Sequence, residues 1–290
     1  MSKAKVSLLS VAALIIGLVM GFAISSVQYR INAMDVPITL EVEGTFGSTV
    51  VATASGRVDF RSGDGLVEPS VSCDQTGSGR TVEQGGQVIA QVTTFHLDAT
   101  GRATSTGESY IVGSATDDVL GANTPYVVGE TEGSRIVVLE PESARAAMIR
   151  VIDILPTVLP GEHGTTEGAN GLPSIAIGDD GVPTVVDGGG PVETLVQSEI
   201  IAGSGEQIGV GDTAVINYML ISPDGEVLES TWTNAEPTVL AVDDVFPGLN
   251  TGLIDSRIGS RLVLAVPASQ AQGDSDVALV IDVLGRYPAE

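Results

Sequence analysis

Four blocks of this sequence occur twice, in the same order. Gly77-Ser78-Gly79 and Gly85-Gly86-Gln87-Val88 return 126 residues later as Gly203-Ser204-Gly205 and Gly211-Asp212-Thr213-Ala214. Gly133-Ser134-Arg135-Ile136-Val137-Val138 returns at the same offset as Gly259-Ser260-Arg261-Leu262-Val263-Leu264, and Pro141 as Pro267. Val151-Ile152-Asp153-Ile154-Leu155 returns as Val280-Ile281-Asp282-Val283-Leu284, now 129 residues on. An ordered set of this kind marks a tandem duplication, so the fold must be one that each copy can build separately.

Each copy reads mostly as strands. Thr213–Ile221 is a β-branched run that ends at Ser222-Pro223-Asp224-Gly225, a hairpin turn, with a return strand over residues 226 to 231. Further strands are expected over residues 262 to 266 and 277 to 284. The exception is the stretch 245 to 258, where Val245, Phe246, Leu249, Leu253 and Ile254 recur at helical spacing and Asp243 and Asp244 precede as cap candidates. The expected fold class is α+β, an antiparallel sheet covered on one face by one short helix, present twice. The expected divisions are 1–30 (signal or anchor), 37–159 (first copy), 160–190 (linker) and 191–290 (second copy). The linker assignment rests on its Gly, Pro, Asp and Thr content, although Ser174–Ile177 and residues 184 to 186 look strand-like and could pair onto the second copy.

Lys3 and Lys5 precede an apolar run from residue 6 to about residue 26, and no acidic residue occurs before Asp35. That is the pattern of an uncleaved membrane anchor or a cleaved secretory signal, and it places the remainder outside the cytoplasm. With 13 basic against 37 acidic residues, nonspecific nucleic-acid binding is opposed by charge repulsion, and no nucleic-acid partner is expected. The single cysteine, Cys73, rules out an internal disulfide framework. His96 and His163 are too few for a histidine cluster. The pairs Asp117-Asp118, Asp179-Asp180 and Asp243-Asp244 lack an oxygen-ligand loop pattern for calcium.

The second copy, about residues 195 to 287, resembles an FKBP-type peptidyl-prolyl isomerase domain. The carrying residues run in family order: Gly203-Ser204-Gly205, Val215-Ile216-Asn217-Tyr218, Asp224-Gly225-Glu226-Val227-Leu228-Glu229-Ser230, Val245-Phe246-Pro247-Gly248-Leu249, Gly252-Leu253, Ile258-Gly259, Val266-Pro267 and Leu279-Val280-Ile281-Asp282-Val283. The order carries the resemblance more than any one block. The first copy, about 70 to 157, resembles the family more weakly. The anchor, the two copies and the Gly171-Leu172-Pro173 spacer resemble exported actinobacterial members.

The resemblance implies rotation about X-Pro bonds, whose isomers are nearly balanced but exchange slowly. Such catalysis requires no nucleophile, metal or cofactor: an apolar pocket that favours the twisted amide over the planar one lowers the barrier. Carried over by position, Tyr218, Glu229 and Phe246 would be catalytic, with the Phe246 N–H donating to a substrate carbonyl. Leu228, Val245, Leu249 and Ile281 would bind substrate. Trp232, just past the hairpin, is a further substrate-binding candidate by its place in the sequence, at the rim of a groove, or else it covers the sheet edge. Leu249, Ile281 and Leu228 replace aromatic residues of the family pocket, and Gln272 sits about where a tyrosine is expected in a shortened loop over residues 268 to 276. Weak turnover is therefore expected. In the first copy Val92 stands where Tyr218 does and Thr104 roughly where the acidic residue does, and residues 115 to 133 are Gly-rich with Pro125, so that copy is expected to be noncatalytic.

The resulting expectation is a monomeric, extracytoplasmic, membrane-anchored or secreted prolyl isomerase or foldase, acting on proline-containing exported polypeptides. Its surface charge favours basic or neutral clients. The alternatives are a noncatalytic binding or spacer protein on the same domains, and a β-sandwich adhesion repeat, which needs no helix over 245 to 258.

Overall fold

The computed structural model describes residues 27–31, 38–159, 161, 164–234 and 237–287. The apolar run over residues 6 to 26, and His163, lie outside these. Among the described residues no helix is long and apolar enough to cross a membrane.

The duplication is visible in the strand order. Strands β1 (Val27–Ile31), β2 (Ile38–Glu43) and β3 (Val51–Ser55) form a small antiparallel sheet, and a short hairpin, β4 (Arg61–Ser62) and β5 (Gly65–Leu66), follows. The first large sheet contains β6 (Ser70–Gln75), β7 (Gln87–Leu97), β8 (Ala103–Ser114), β9 (Arg135–Ser143) and β10 (Ala146–Leu155), in the order β6-β9-β10-β7-β8. A second small sheet follows, from β11 (Gly164–Thr166), β12 (Ser174–Ile177) and β13 (Pro183–Asp187). The second large sheet contains β14 (Val196–Ile201), β15 (Thr213–Ile221), β16 (Val227–Ser230), β17 (Thr238–Ala241), β18 (Arg261–Val266) and β19 (Val277–Tyr287). Its order is β14-β18-β19-β15-β16, with β17 also paired to β15. Both large sheets are antiparallel throughout and are laid out alike.

Alternation along each strand sends side chains to two faces. In the second sheet Ala214, Ile216, Leu262, Leu264, Leu279 and Ile281 face the helix Pro247–Leu253 and form the inner core. On the outer face Met219, Ile221, Ala278, Val280 and Trp232 pack with Ile175, Val182 and Val185 from β12, β13 and their turn. In the first sheet Phe95, Leu97, Ile149 and Val151 pack in the same way against Ile38, Leu40, Val42 and Ala52. Residues 160–190, read as a linker, thus carry a small sheet that covers the outer face of the second copy. Its strands pair with one another and not with the large sheet. The apolar side chains Ile175, Val182 and Val185 supply the reason, since a linker has no core to fill.

One buried ion pair recurs. Arg135 donates to both carboxylate oxygens of Asp153 at 2.6 and 2.7 Å, and Arg261 to those of Asp282 at 2.5 and 2.7 Å. Each pair also holds the chain segment that precedes its sheet. Arg135 donates to the Gly44 and Thr45 carbonyls, and Asp153 accepts the Gly47 N–H. Arg261 donates to the Leu159 carbonyl, and Asp282 accepts the Leu159 N–H. The fork geometry of arginine suits this double task.

The helix is shorter than the spacing predicts, spanning Pro247–Leu253. Proline at the first position favours that start, and Asp255, at φ +68°, lies beyond the end. Asp243 and Asp244 lie in the preceding 3-10 turn, Val242–Asp244, and make no capping hydrogen bond to the helix. Gly248 and Gly252 let the helix lie close on β18, where an added Cβ would meet Val266 Cγ1 at 2.3 Å and Leu264 Cδ1 at 2.4 Å. In the first copy the helical stretch is broken into Asp117–Leu120, a 3-10 turn and Thr124–Val127, with Gly121 at φ +56°.

The return strand of the hairpin is also shorter than expected, Val227–Ser230, because the chain turns into the short helix Thr231–Asn234. The two copies meet through Ile89, Tyr110, Leu155 and Leu159 of the first and Val215 and Leu284 of the second. The rings of Tyr110 and Tyr287 lie 4.9 Å apart, and Tyr287 donates to the Tyr110 carbonyl. Beside them Arg286 binds Glu206 and Asp212, and Glu206 accepts the Thr49 N–H.

Candidate functional site

Between the inner face of the second sheet and the start of its helix lies a cavity of about 530 Å³. Tyr218 and Leu220 of β15, Leu279 of β19, Leu240 of β17 and Leu249 of the helix supply its apolar wall, with Val245 and Phe246 at the helix entrance. Glu229, Thr238, Asp244, Ala271 and Gln272 complete the lining.

Tyr218 donates its hydroxyl to Glu229 Oε1 at 2.5 Å. Burial first, and then the neighbouring carboxylate, pushes its phenol up to about 12, so it stays protonated at neutral pH. Phe246 stands just before the helix in extended backbone, and its carbonyl accepts the Asn250 N–H. Among the described residues no acceptor takes its own N–H. The site therefore combines an apolar concavity, a backbone donor at its edge and a phenol oriented by a carboxylate. That combination can desolvate an amide and hold a neighbouring carbonyl while the bond turns.

Of the residues expected from sequence, Tyr218, Glu229, Phe246, Val245 and Leu249 come together here, as does Gln272. Three do not line the cavity. Ile281 shares the inner face with Leu279 but is fully buried in the core. Leu228 is 53% exposed. It falls in an irregularity of the β15–β16 ladder, where Leu220 pairs with Glu229 and Ile221 with Val227, leaving Leu228 without a partner. Trp232 is on the opposite face, buried under the small sheet, with the Arg261 guanidinium 5.9 Å from its ring. Leu220 and Leu279 were missed although strand alternation signals both, each lying two residues from a residue of the expected site. Thr238, Leu240, Asp244 and Ala271 carry no such signal.

Strand register settles the first copy's counterparts. Val92 faces Ile152 as Tyr218 faces Ile281, so Val92 does stand in the tyrosine's place. Leu220 faces Glu229, whereas its counterpart Thr94 faces Gly107. Thr104 pairs with His96, further along the longer first hairpin, and is not the counterpart of the acid. Arg150 occupies the position of Leu279. It is buried, binds Glu140, donates to the Ala122 carbonyl and to Asn123 Oδ1, and lies 5.4 Å from the Tyr126 ring centre. A buried cation and its partners thus stand at the position where Leu279 lines the cavity in the second copy.

The sequence model of FKBP-type peptidyl-prolyl cis-trans isomerase matches residues 204–282. Over 83 residues the chain is 34% identical to the FKBP-type peptidyl-prolyl cis-trans isomerase FkpA of Escherichia coli, a match covering 29% of this chain and 31% of that protein. Over 82 residues it is 28% identical to a probable FK506-binding protein of Corynebacterium glutamicum, covering 28% of this chain and 70% of that one. The crystal structure of FkpA from Escherichia coli superposes with a TM-score of 0.32 at 28% identity, covering 33% of this chain and 49% of that chain. The chain thus spans about a third of the FkpA sequence it matches. The matched segment contains Tyr218, Glu229, Phe246, Leu249 and Leu279, so these cavity residues lie within the part of the chain that is similar to FKBP-type peptidyl-prolyl cis-trans isomerases.

Proposed function

We propose that the second copy catalyses cis-trans isomerisation of X-Pro bonds in proline-containing polypeptides. The observation that carries this reading is the Phe246 N–H, without an acceptor among the described residues, at the edge of an apolar cavity faced by Tyr218. The barrier to be lowered is about 18–20 kcal/mol and arises from amide resonance. A carbonyl held by the Phe246 N–H, next to a proline ring on Leu220, Leu249 and Leu279, leaves the imide free to rotate in a site poor in water. Loss of resonance makes the twisted imide less polar, and so better suited to that wall than the planar ground state. Leu249 in place of an aromatic floor, and Leu228 turned outward, support slow turnover.

The expected place of action is outside the cytoplasm, on exported chains, as Lys3, Lys5 and the apolar run after them suggest. A coupled prolyl-peptide assay on the full chain tests the activity. Acceleration over the uncatalysed rate that Tyr218→Ala and Phe246→Ala lower, and that Phe246→Pro, which removes the N–H at a φ of −64° open to proline, abolishes, is the expected result. A rate equal to the uncatalysed one ends the enzyme reading, and peptide binding retained without turnover then supports a noncatalytic binding protein. That second reading draws on the outward Leu228 and the loss of aromatic wall residues.

A further inference from the structure

Behind the cavity wall runs a line of buried hydrogen bonds. Tyr218 points into the cavity, and Asn217, its neighbour on β15, points to the opposite face, where it is 2% exposed. Asn217 Nδ2 donates to the Thr157 carbonyl at 2.7 Å. Its Oδ1 accepts the Thr231 hydroxyl at 3.0 Å. The Thr231 hydroxyl oxygen in turn accepts the Tyr218 N–H at 2.9 Å. The β15–β16 ladder ends at Met219 and Ser230, so a side chain takes over where a backbone carbonyl would otherwise serve.

The line continues into the first copy. Thr157 lies just beyond β10, and its N–H and hydroxyl both donate to the buried carboxylate of Glu132. Among the described residues the first copy has no equal of this arrangement at its own sheet. Gln91 stands where Asn217 does, donates to Glu108 at 2.7 Å, and its Oε1 is buried without an acceptor bond.

We propose that Thr231 and Asn217 are positioning residues, through which the segment joining the two copies sets Tyr218 in the cavity wall. Thr231 lies two residues after Glu229, so one hydroxyl anchors both strands whose side chains form the Tyr218–Glu229 hydrogen bond. Buried hydrogen-bonded networks of this kind hold one arrangement because a displacement leaves a polar group unpaired. The first copy then contributes Thr157 to the support of the cavity wall, and this rests on the isomerase reading for its functional consequence.

The full-length chain tests it with Thr231→Val, which keeps the shape and removes the hydroxyl, and with Thr231→Ser, which restores it. Thr231→Val is expected to lower kcat/KM about fivefold, the worth of one such hydrogen bond, and Thr231→Ser to recover it. In parallel, the Tyr218 phenol is titrated by NMR of ring-labelled tyrosine, assigned with Tyr218→Phe. Thr231→Val is expected to bring it down from about 12 towards its ordinary 10.0. If Thr231→Val does not fold, Asn217→Ala is read in the same way. An unchanged rate with an unchanged titration, or a loss that Thr231→Ser does not recover, overturns the proposal. If the unmodified chain shows no catalysis, the isomerase reading fails and the Tyr218 titration alone decides the positioning role.

Discussion

Arg150 and Leu279 stand at the same position of the two sheets, facing Thr94 in one copy and Leu220 in the other. In the first copy the arginine binds Glu140 beneath Tyr126; in the second the leucine lines an open cavity. Leu279→Arg is therefore expected to cut prolyl-peptide turnover by more than about tenfold, through occupation of the cavity and an unpaired charge. Arg150→Leu is expected to leave turnover unchanged. The coupled assay checks both, with near-ultraviolet circular dichroism to show that each variant remains folded.

The pair Arg261–Asp282 is fully enclosed. Removing one partner strands a charge in the core, so Arg261→Met or Asp282→Asn is expected to destabilise the chain by about 3–5 kcal/mol. Arg135→Met, at the matching position, is expected to behave alike. Urea denaturation followed by tryptophan fluorescence suits the first pair, since Trp232 lies against Arg261.

Stability should fall in alkali. Burial raises the phenols of Tyr110, Tyr218 and Tyr287 above their ordinary value of 10.0 in the fold. Above pH 10 the unfolded chain releases those protons while the native chain keeps them, so the native state binds more protons and loses ground as pH rises. The urea midpoint at pH 11 is expected below that at pH 9, and Tyr110→Phe should shrink the difference.

The contact between the copies should loosen in acid. Burial would raise the Glu206 carboxyl, but the Thr49 N–H and Arg286 outweigh it and hold the group below its ordinary 4.5. Its contribution is complete above that value and is lost as pH falls through the lower folded pKa. Scanning calorimetry from pH 6 down to pH 3 is expected to show the unfolding transition broadening or splitting, less so in Glu206→Gln.

Gly248→Ala is expected to destabilise by about 1–3 kcal/mol, because its Cβ would fall 2.3 Å from a methyl of the stiff Val266 side chain. The helix must then lift from β18 and carry Leu249 away from the cavity, so kcat/KM is expected to fall as well. Gly252→Ala should be milder, since the clash there is with the more adaptable Leu264. Chemical denaturation and the peptide assay on the two variants check the order.

Much of this protein is local in origin and was readable as such. The repeated blocks, the β-branched run Thr213–Ile221 and the turn at Asp224-Gly225 reflect backbone preference and period-two alternation, and they translate directly into two like sheets. Tyr218, Phe246 and Leu249 could be named as site candidates because family order places them in one pocket. Other features depended on contacts between distant segments. The ladder irregularity that turns Leu228 to solvent, the small sheet that buries Trp232, and the register that pairs Thr94 with Gly107 leave no local signature. Whether a position on the sheet lines a void or holds a buried arginine is decided by how side chains from four strands, a helix and the loops between them meet in space, and linear spacing does not encode that sum. For the same reason the Thr157–Asn217–Thr231 line became visible only once residues 60 and 14 positions apart were brought within hydrogen-bonding distance.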